Sequence, residues 1–228
     1  MKQTVFKPIL IGIFAILMQS CHKDPVFLYG YIHSSEVQKK LMEGVSGTYS
    51  GKMLCIGSAE TQPDAESVRK TTEDVRYTVD GYQPNYSGKN AGYITIHNYP
   101  VSLIGYTVTD PELAAALKAQ PNRDLQIRFW IGDPVLSREE NKTKGTINFE
   151  YIPVSLSLEY GGTLHNVLIK LGGNNAIEID GEKESTWNIN ALTFSVSSIS
   201  VDGKLKQEYE QWEKKSSEFY TFIRGKRD

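Results

Sequence analysis

The stretch Val154-Ser-Leu-Ser-Leu-Glu-Tyr-Gly-Gly162 decides the class of fold. Val154, Leu156, Leu158 and Tyr160 alternate with Ser155, Ser157 and Glu159 before the glycine pair. Side chains leave a strand on alternate faces, so one apolar and one polar set at period two marks a strand that is wet on one side only.

The same pattern spreads outward in both directions. Leu125, Ile127, Phe129 and Ile131 alternate with Gln126, Arg128 and Trp130, and Val75, Tyr77 and Val79 alternate with Arg76, Thr78 and Asp80. Gly47 to Ile56 reads as a strand with Tyr49, Met53 and Cys55 on one face, which makes Cys55 a packed apolar thiol. Asp80-Gly81, Tyr160-Gly-Gly162, Gly172-Gly-Asn-Asn175, Asp180-Gly181 and Asp202-Gly203 are turn signals at the spacing of sandwiches and barrels. The expected fold is therefore all-β, an antiparallel β-barrel or a β-sandwich.

Three helical segments are expected beside the strands. A first one follows Ser34 or Ser35, carries Val37, Lys40 and Leu41 at helical spacing and ends near Gly44. A short interior helix is capped by Asp110, admits Pro111 in its first turn, continues through Leu113-Ala-Ala-Ala-Leu117 and is stopped by Pro121. At the C-terminus, Leu205, Tyr209, Trp212, Ser216, Phe219 and Ile223 recur at steps of three and four, the mark of an amphipathic helix. Glu218 to Ile223 can alternatively be read as a last short strand.

An internal repeat adds a second level of organisation. Gly92-Tyr-Ile-Thr-Ile-His-Asn-Tyr-Pro-Val-Ser-Leu103 aligns without gaps on Gly145-Thr-Ile-Asn-Phe-Glu-Tyr-Ile-Pro-Val-Ser-Leu156. Proline cannot donate to a ladder, so Pro100 and Pro153 belong in bends, at strand starts or on edges. Two copies are too few for a solenoid. They imply one domain over residues 34–228 with two quasi-equivalent units, about 92–144 and 145–200.

The N-terminus reads as an address. Lys2 and Lys7 precede the apolar run from Ile9 to Met18, and Gln19, Ser20 and Cys21 come directly after it. That run is short of the roughly 20 residues a spanning helix needs, and its order is that of a secretory signal. Residues 1–20 are thus expected to be removed, with 21–33 as a tether. Without Lys2 and Lys7, 23 basic residues face 27 acidic ones, so no basic field favours nucleic acid. Acylation of Cys21 leaves Cys55 without a disulfide partner.

Leu17-Met-Gln-Ser-Cys21 resembles a lipobox, and a helix followed by Gly47-Thr-Tyr-Ser-Gly51 resembles the opening of Bacteroidetes-type cell-envelope lipoproteins with an all-β domain of unknown function. The Gly-x-Tyr opening is also similar to the first strand of calycin-like barrels. The resemblance implies lipid attachment at Cys21 and a location in the cell envelope at the outer membrane, facing either the periplasm or the surface. Membrane contact would then be through the N-terminal lipid, at about 0.8 kcal/mol per buried methylene.

Chemistry leaves fewer marks. No Gly-x-Ser-x-Gly elbow, phosphate loop or dinucleotide fingerprint occurs, and His33, His97 and His165 form no metal-spaced pair. His97 and His165 fall on strands, where a hydrogen-bonded or solvent-facing imidazole is the ordinary state. No cofactor is expected. Six tyrosines fall from Tyr77 to Tyr106, and Gly81 to Asn90 is expected to be a loop that presents Tyr82 and Tyr86 among amides and small residues. With Trp130 they form the candidate ligand-binding set, since such rings stack on sugars and protein epitopes. The leading expectation is a non-catalytic binding or accessory module for a glycan or protein ligand. The alternatives are a structural lipoprotein docking a larger envelope complex and a carboxylate-dependent hydrolase.

Overall fold

A computed structural model describes residues 29–31, 41–58, 68–84, 90–132, 135–137, 142–173, 176–181, 189–209 and 217–228. It is mostly antiparallel β, a sheet curled into a half-barrel with few short helices. Thirteen strands occur among the described residues: β1 (Tyr29–Tyr31), β2 (Gly47–Ser58), β3 (Val68–Pro84), β4 (Asn90–Tyr99), β5 (Arg123–Ile131), β6 (Val135–Ser137), β7 (Lys142–Tyr151), β8 (Val154–Tyr160), β9 (Thr163–Gly173), β10 (Ala176–Gly181), β11 (Ala191–Val201), β12 (Lys204–Glu208) and β13 (Glu218–Arg227). Their order is β1-β6-β7-β5-β4-β3-β2-β13-β11-β9-β8, with β10 on β7 and β12 on β11.

The two arms of this path come together in one long hairpin. Gly161 and Gly162, at φ 58° and 74°, make the reversal between β8 and β9, a geometry that only glycine adopts freely at two successive positions. From that turn Leu158 pairs with His165 and Val154 with Ile169. The next strands, β7 and β10, pair in nearly the same register, Asn148 opposite Ala176. Tyr151, at the end of β7, donates its hydroxyl to the Thr193 carbonyl of β11 at 3.2 Å and lays its ring 5.9 Å from that of Phe194. Burial pushes that phenol up to about 12.

Alternation fills the inner face. Tyr49, Met53 and Cys55 of β2, Ile94 and Ile96 of β4, Ile127 and Phe129 of β5, and Phe219 and Ile223 of β13 are all buried in one cluster. Tyr49 and Tyr77 stack at 5.0 Å, and their hydroxyls donate to the Val45 and Ile189 carbonyls, so both rings are buried without orphaned polar atoms. Residues 41–45 are helical and bring Leu41, Met42 and Val45 into the same core. The interior helix is α1 (Pro111–Lys118): the Asp110 carboxylate accepts from the Glu112 and Leu113 amides at 3.1 Å, and Leu113, Ala114 and Leu117 face inward.

Several sequence expectations change here. No C-terminal helix spans the described residues: 204–208 and 218–227 are strands, and β13 is hydrogen-bonded between β2 and β11. Phe219 and Ile223 are four apart, which fits a helix and a strand equally. Thr221 between them is fully buried and reveals the period of two, whereas Leu205 is exposed. Asp80-Gly81 is no reversal either, because β3 runs on to Pro84 with a register shift against β4. Gly172-Gly173 closes β9, and β10 continues in the same direction. Asp202, at φ 49°, and Gly203 do form the turn between β11 and β12.

The repeat holds for its strand halves and ends at the prolines. Ile94 and Ile96, like Ile147 and Phe149, are buried on the inner face. Beyond Pro100 the chain enters a 3-10 helix (Val101–Thr107), whereas beyond Pro153 the same Pro-Val-Ser-Leu sequence is strand β8. The difference is the partner available, since Val154 meets Ile169 on β9.

Candidate functional site

Two histidines are held by the same device in different parts of the sheet. His97 and Asn98 form the irregularity between Ile96 and Tyr99 in the pairing of β4 with β5, and Asn98 takes φ 55°. Asp124 of β5 divides its carboxylate between them, Oδ2 at 3.1 Å from His97 Nδ1 and Oδ1 accepting from the Asn98 amide at 3.2 Å. His165 and Asn166 of β9 are clasped likewise by Asp202, at 2.7 Å and 2.9 Å. A carboxylate only accepts, so each Nδ1 carries the proton. The remaining Nε2 of His97 can then accept from the Thr78 hydroxyl, 3.3 Å away.

These contacts lower both carboxyl pKa values. For Asp124 the Asn98 amide is the larger cause and the His97 hydrogen bond the next; for Asp202 the order is His165 and then Asn166. The Tyr160 ring stacks 4.3 Å from that of His165. Its phenol is pushed up by burial first, then by Asp110, Asp202 and Glu112.

The second clasp borders a groove. A concavity of about 440 Å³ lies on the outer face of β8, β9 and β11, lined among others by Ser155, Ser157, Asn166, Leu168, Lys170, Ser200 and Gly203. Alternation creates it: Val154, Leu156, Val167, Ile169, Ile199 and Val201 turn inward, and the residues between them turn out. Pairing then brings Ser155 and Ser200 to either side of Leu168, with Ser157 opposite Asn166. Asn166 belongs to both features, since its amide is clasped by Asp202 while the residue lines the groove. Arg123 Nη1 donates to the Ser155 carbonyl at 3.2 Å and holds the outer strand.

This groove is not where the sequence pointed. Trp130 sits half-buried on β5, opposite Asn148 and beside the Arg128–Glu150 ion pair of 3.1 Å. Tyr82 lies on β3, in the irregular stretch between Asp80 and Gln83, with β4 between it and β5. Tyr86 and Cys21 lie outside the described residues. The serines at 155 and 157 were visible as an outward set, but nothing in the sequence pairs them with Asn166 or Ser200. Among the described residues, no three histidine, cysteine or acidic side chains converge as a metal site. No described helix is long and apolar enough to cross a membrane.

No curated protein and no solved structure matches the chain. A family model described as a domain of unknown function, DUF4840, matches residues 44–200. That span begins with the residues leading into β2 and ends one residue short of the end of β11, while β12 and β13 beyond it complete the same sheet. On the strength of that match over most of its length, the chain belongs to the DUF4840 domain family.

Proposed function

We propose that this protein is a lipid-anchored, non-catalytic binding module of the bacterial cell envelope, tethered at the outer membrane through Cys21, with the groove on β8, β9 and β11 as its ligand surface. The observation that carries the reading is the composition of that groove: three hydroxyls, an amide and an ammonium beside the apolar Leu156, Val167 and Leu168. Hydroxyls and amides both give and take hydrogen bonds, and a short apolar floor accepts the C–H face of a sugar ring. A hydroxyl-rich glycan fits that chemistry. The Asp202 carboxylate accepts from the Asn166 backbone amide and so holds that part of β9 at the rim. The lipobox resemblance of Leu17 to Cys21 supplies the tether.

The test is a glycan array probed with the mature chain, followed by titration of any hit. Ser157→Trp, which fills the groove, should abolish binding. Lys170→Ala should weaken it about tenfold, the equivalent of one charge-assisted hydrogen bond. Binding left intact by both variants, or no ligand on an array of envelope and host glycans, would remove the reading.

A further inference from the structure

A different face of the sheet points to self-association. On the outer side of β2 and β13, pairing sets four rows of side chains one above another: Ser58 with Glu218, Ile56 with Tyr220, Leu54 with Phe222, and Lys52 with Arg224. The two middle rows are apolar, Tyr220 and Phe222 stack at 6.2 Å, and Phe222 is 38% exposed on a strand in the middle of the sheet. One end of the ladder is acidic and the other basic, and Glu218, Lys52 and Arg224 make no ion pair among the described residues.

We propose that this face is the interface of a two-fold dimer of the protein, formed by stacking one β2–β13 face on that of a second copy with strands antiparallel. A two-fold operation makes a surface meet itself. With the axis between the Tyr220 and Phe222 rows, the acidic end of each copy meets the basic end of the other, and the aromatic rows close against each other in the manner of packed sheets. The charge order selects a second copy over an anionic membrane surface, because Glu218 would oppose a bilayer that Lys52 and Arg224 favour. The strand path agrees: β1, the first described strand after Cys21, lies at its end, with β6, β7, β5, β4 and β3 between it and β2.

Analytical ultracentrifugation of the mature chain over a range of concentrations, with charge-reversed variants, tests this. The wild type should show a concentration-dependent dimer. Glu218→Lys alone, and Lys52→Glu with Arg224→Glu, should each weaken self-association about tenfold or more by placing like charges together. Mixing the two variants should restore dimers as heterodimers, a result that neither misfolding nor a different interface produces. Phe222→Ser should also give monomer. The proposal is overturned by a wild-type monomer at every concentration, by dimers that these substitutions leave unchanged, by variants whose mixture stays monomeric, or by binding to anionic vesicles that the Lys52→Glu, Arg224→Glu variant abolishes while no dimer forms.

Discussion

The hydroxyls of Tyr99 on β4 and Thr221 on β13 lie 2.8 Å apart inside the core, both residues buried. Burial drives the Tyr99 phenol far above its ordinary pKa, with the Thr221 hydrogen bond acting against the shift, so it stays protonated. Thr221→Val should cost about 1–3 kcal/mol, because the tyrosine hydroxyl then stays in an apolar interior with that partner removed. Thr221→Val combined with Tyr99→Phe should cost less than the sum of the two single changes. Urea unfolding of the four chains measures the coupling, and strict additivity would show that the pair contributes nothing.

Gly51 permits the close approach of β2 to β13. A Cβ there would stand 2.0 Å from the Arg224 carbonyl oxygen and 2.5 Å from the Gly225 Cα, both of them backbone atoms that cannot rotate away. Gly51→Ala should therefore destabilise the fold by about 3 kcal/mol or more, read as a lowered melting temperature. Gly162→Ala meets no neighbouring atom and is disfavoured only by its φ of 74°, so it should be milder, at about 1 kcal/mol.

Acid should loosen the two histidine clasps. Asp124 and Asp202 have carboxyls held below the usual carboxylate value near 3.9. Their stabilising effect is then complete above about pH 4 and is lost as pH falls through the lowered values. An Asp124→Ala, Asp202→Ala chain should be less stable than wild type at neutral pH, and the difference should shrink below about pH 4. Thermal melts at a series of pH values measure this; a gap that stays constant into acid would contradict it.

Cys21 should be the first residue of the mature protein and carry acyl chains. Mass spectrometry of the membrane-derived N-terminal peptide would show the lipid, and Cys21→Ser should eliminate incorporation of a labelled fatty acid, since serine lacks the accepting thiol. An unmodified Cys21 in the envelope fraction would contradict the tether.

Much of the fold is written at short range. The alternation around Leu125 and Val154, the Asp110 cap and the Gly161-Gly162 reversal depend on neighbours in sequence, and each stands where local chemistry places it. The C-terminus reads as a helix because Phe219 and Ile223 satisfy two periods at once, and only the burial of Thr221 against Tyr99 separates them in favour of a strand. Pro100 and Pro153 each stand between two elements, outside the ladders they cannot donate to, but whether a 3-10 helix or a strand comes after the proline depends on the strand available alongside. The groove is hidden for the same reason. Ser155, Asn166, Lys170 and Ser200 are brought together by strand pairing, and no local pattern records which strands pair.

The groove itself is the most direct point of test. Backbone amide shifts of the mature chain, monitored by NMR during titration with a glycan selected on the array, should change at Ser155, Ser157, Asn166, Leu168, Lys170 and Ser200 and leave β4 and β5 still. Shifts confined to the strands that carry Tyr82 and Trp130, or no saturable shift on β8, β9 and β11, would contradict the assignment of the ligand surface.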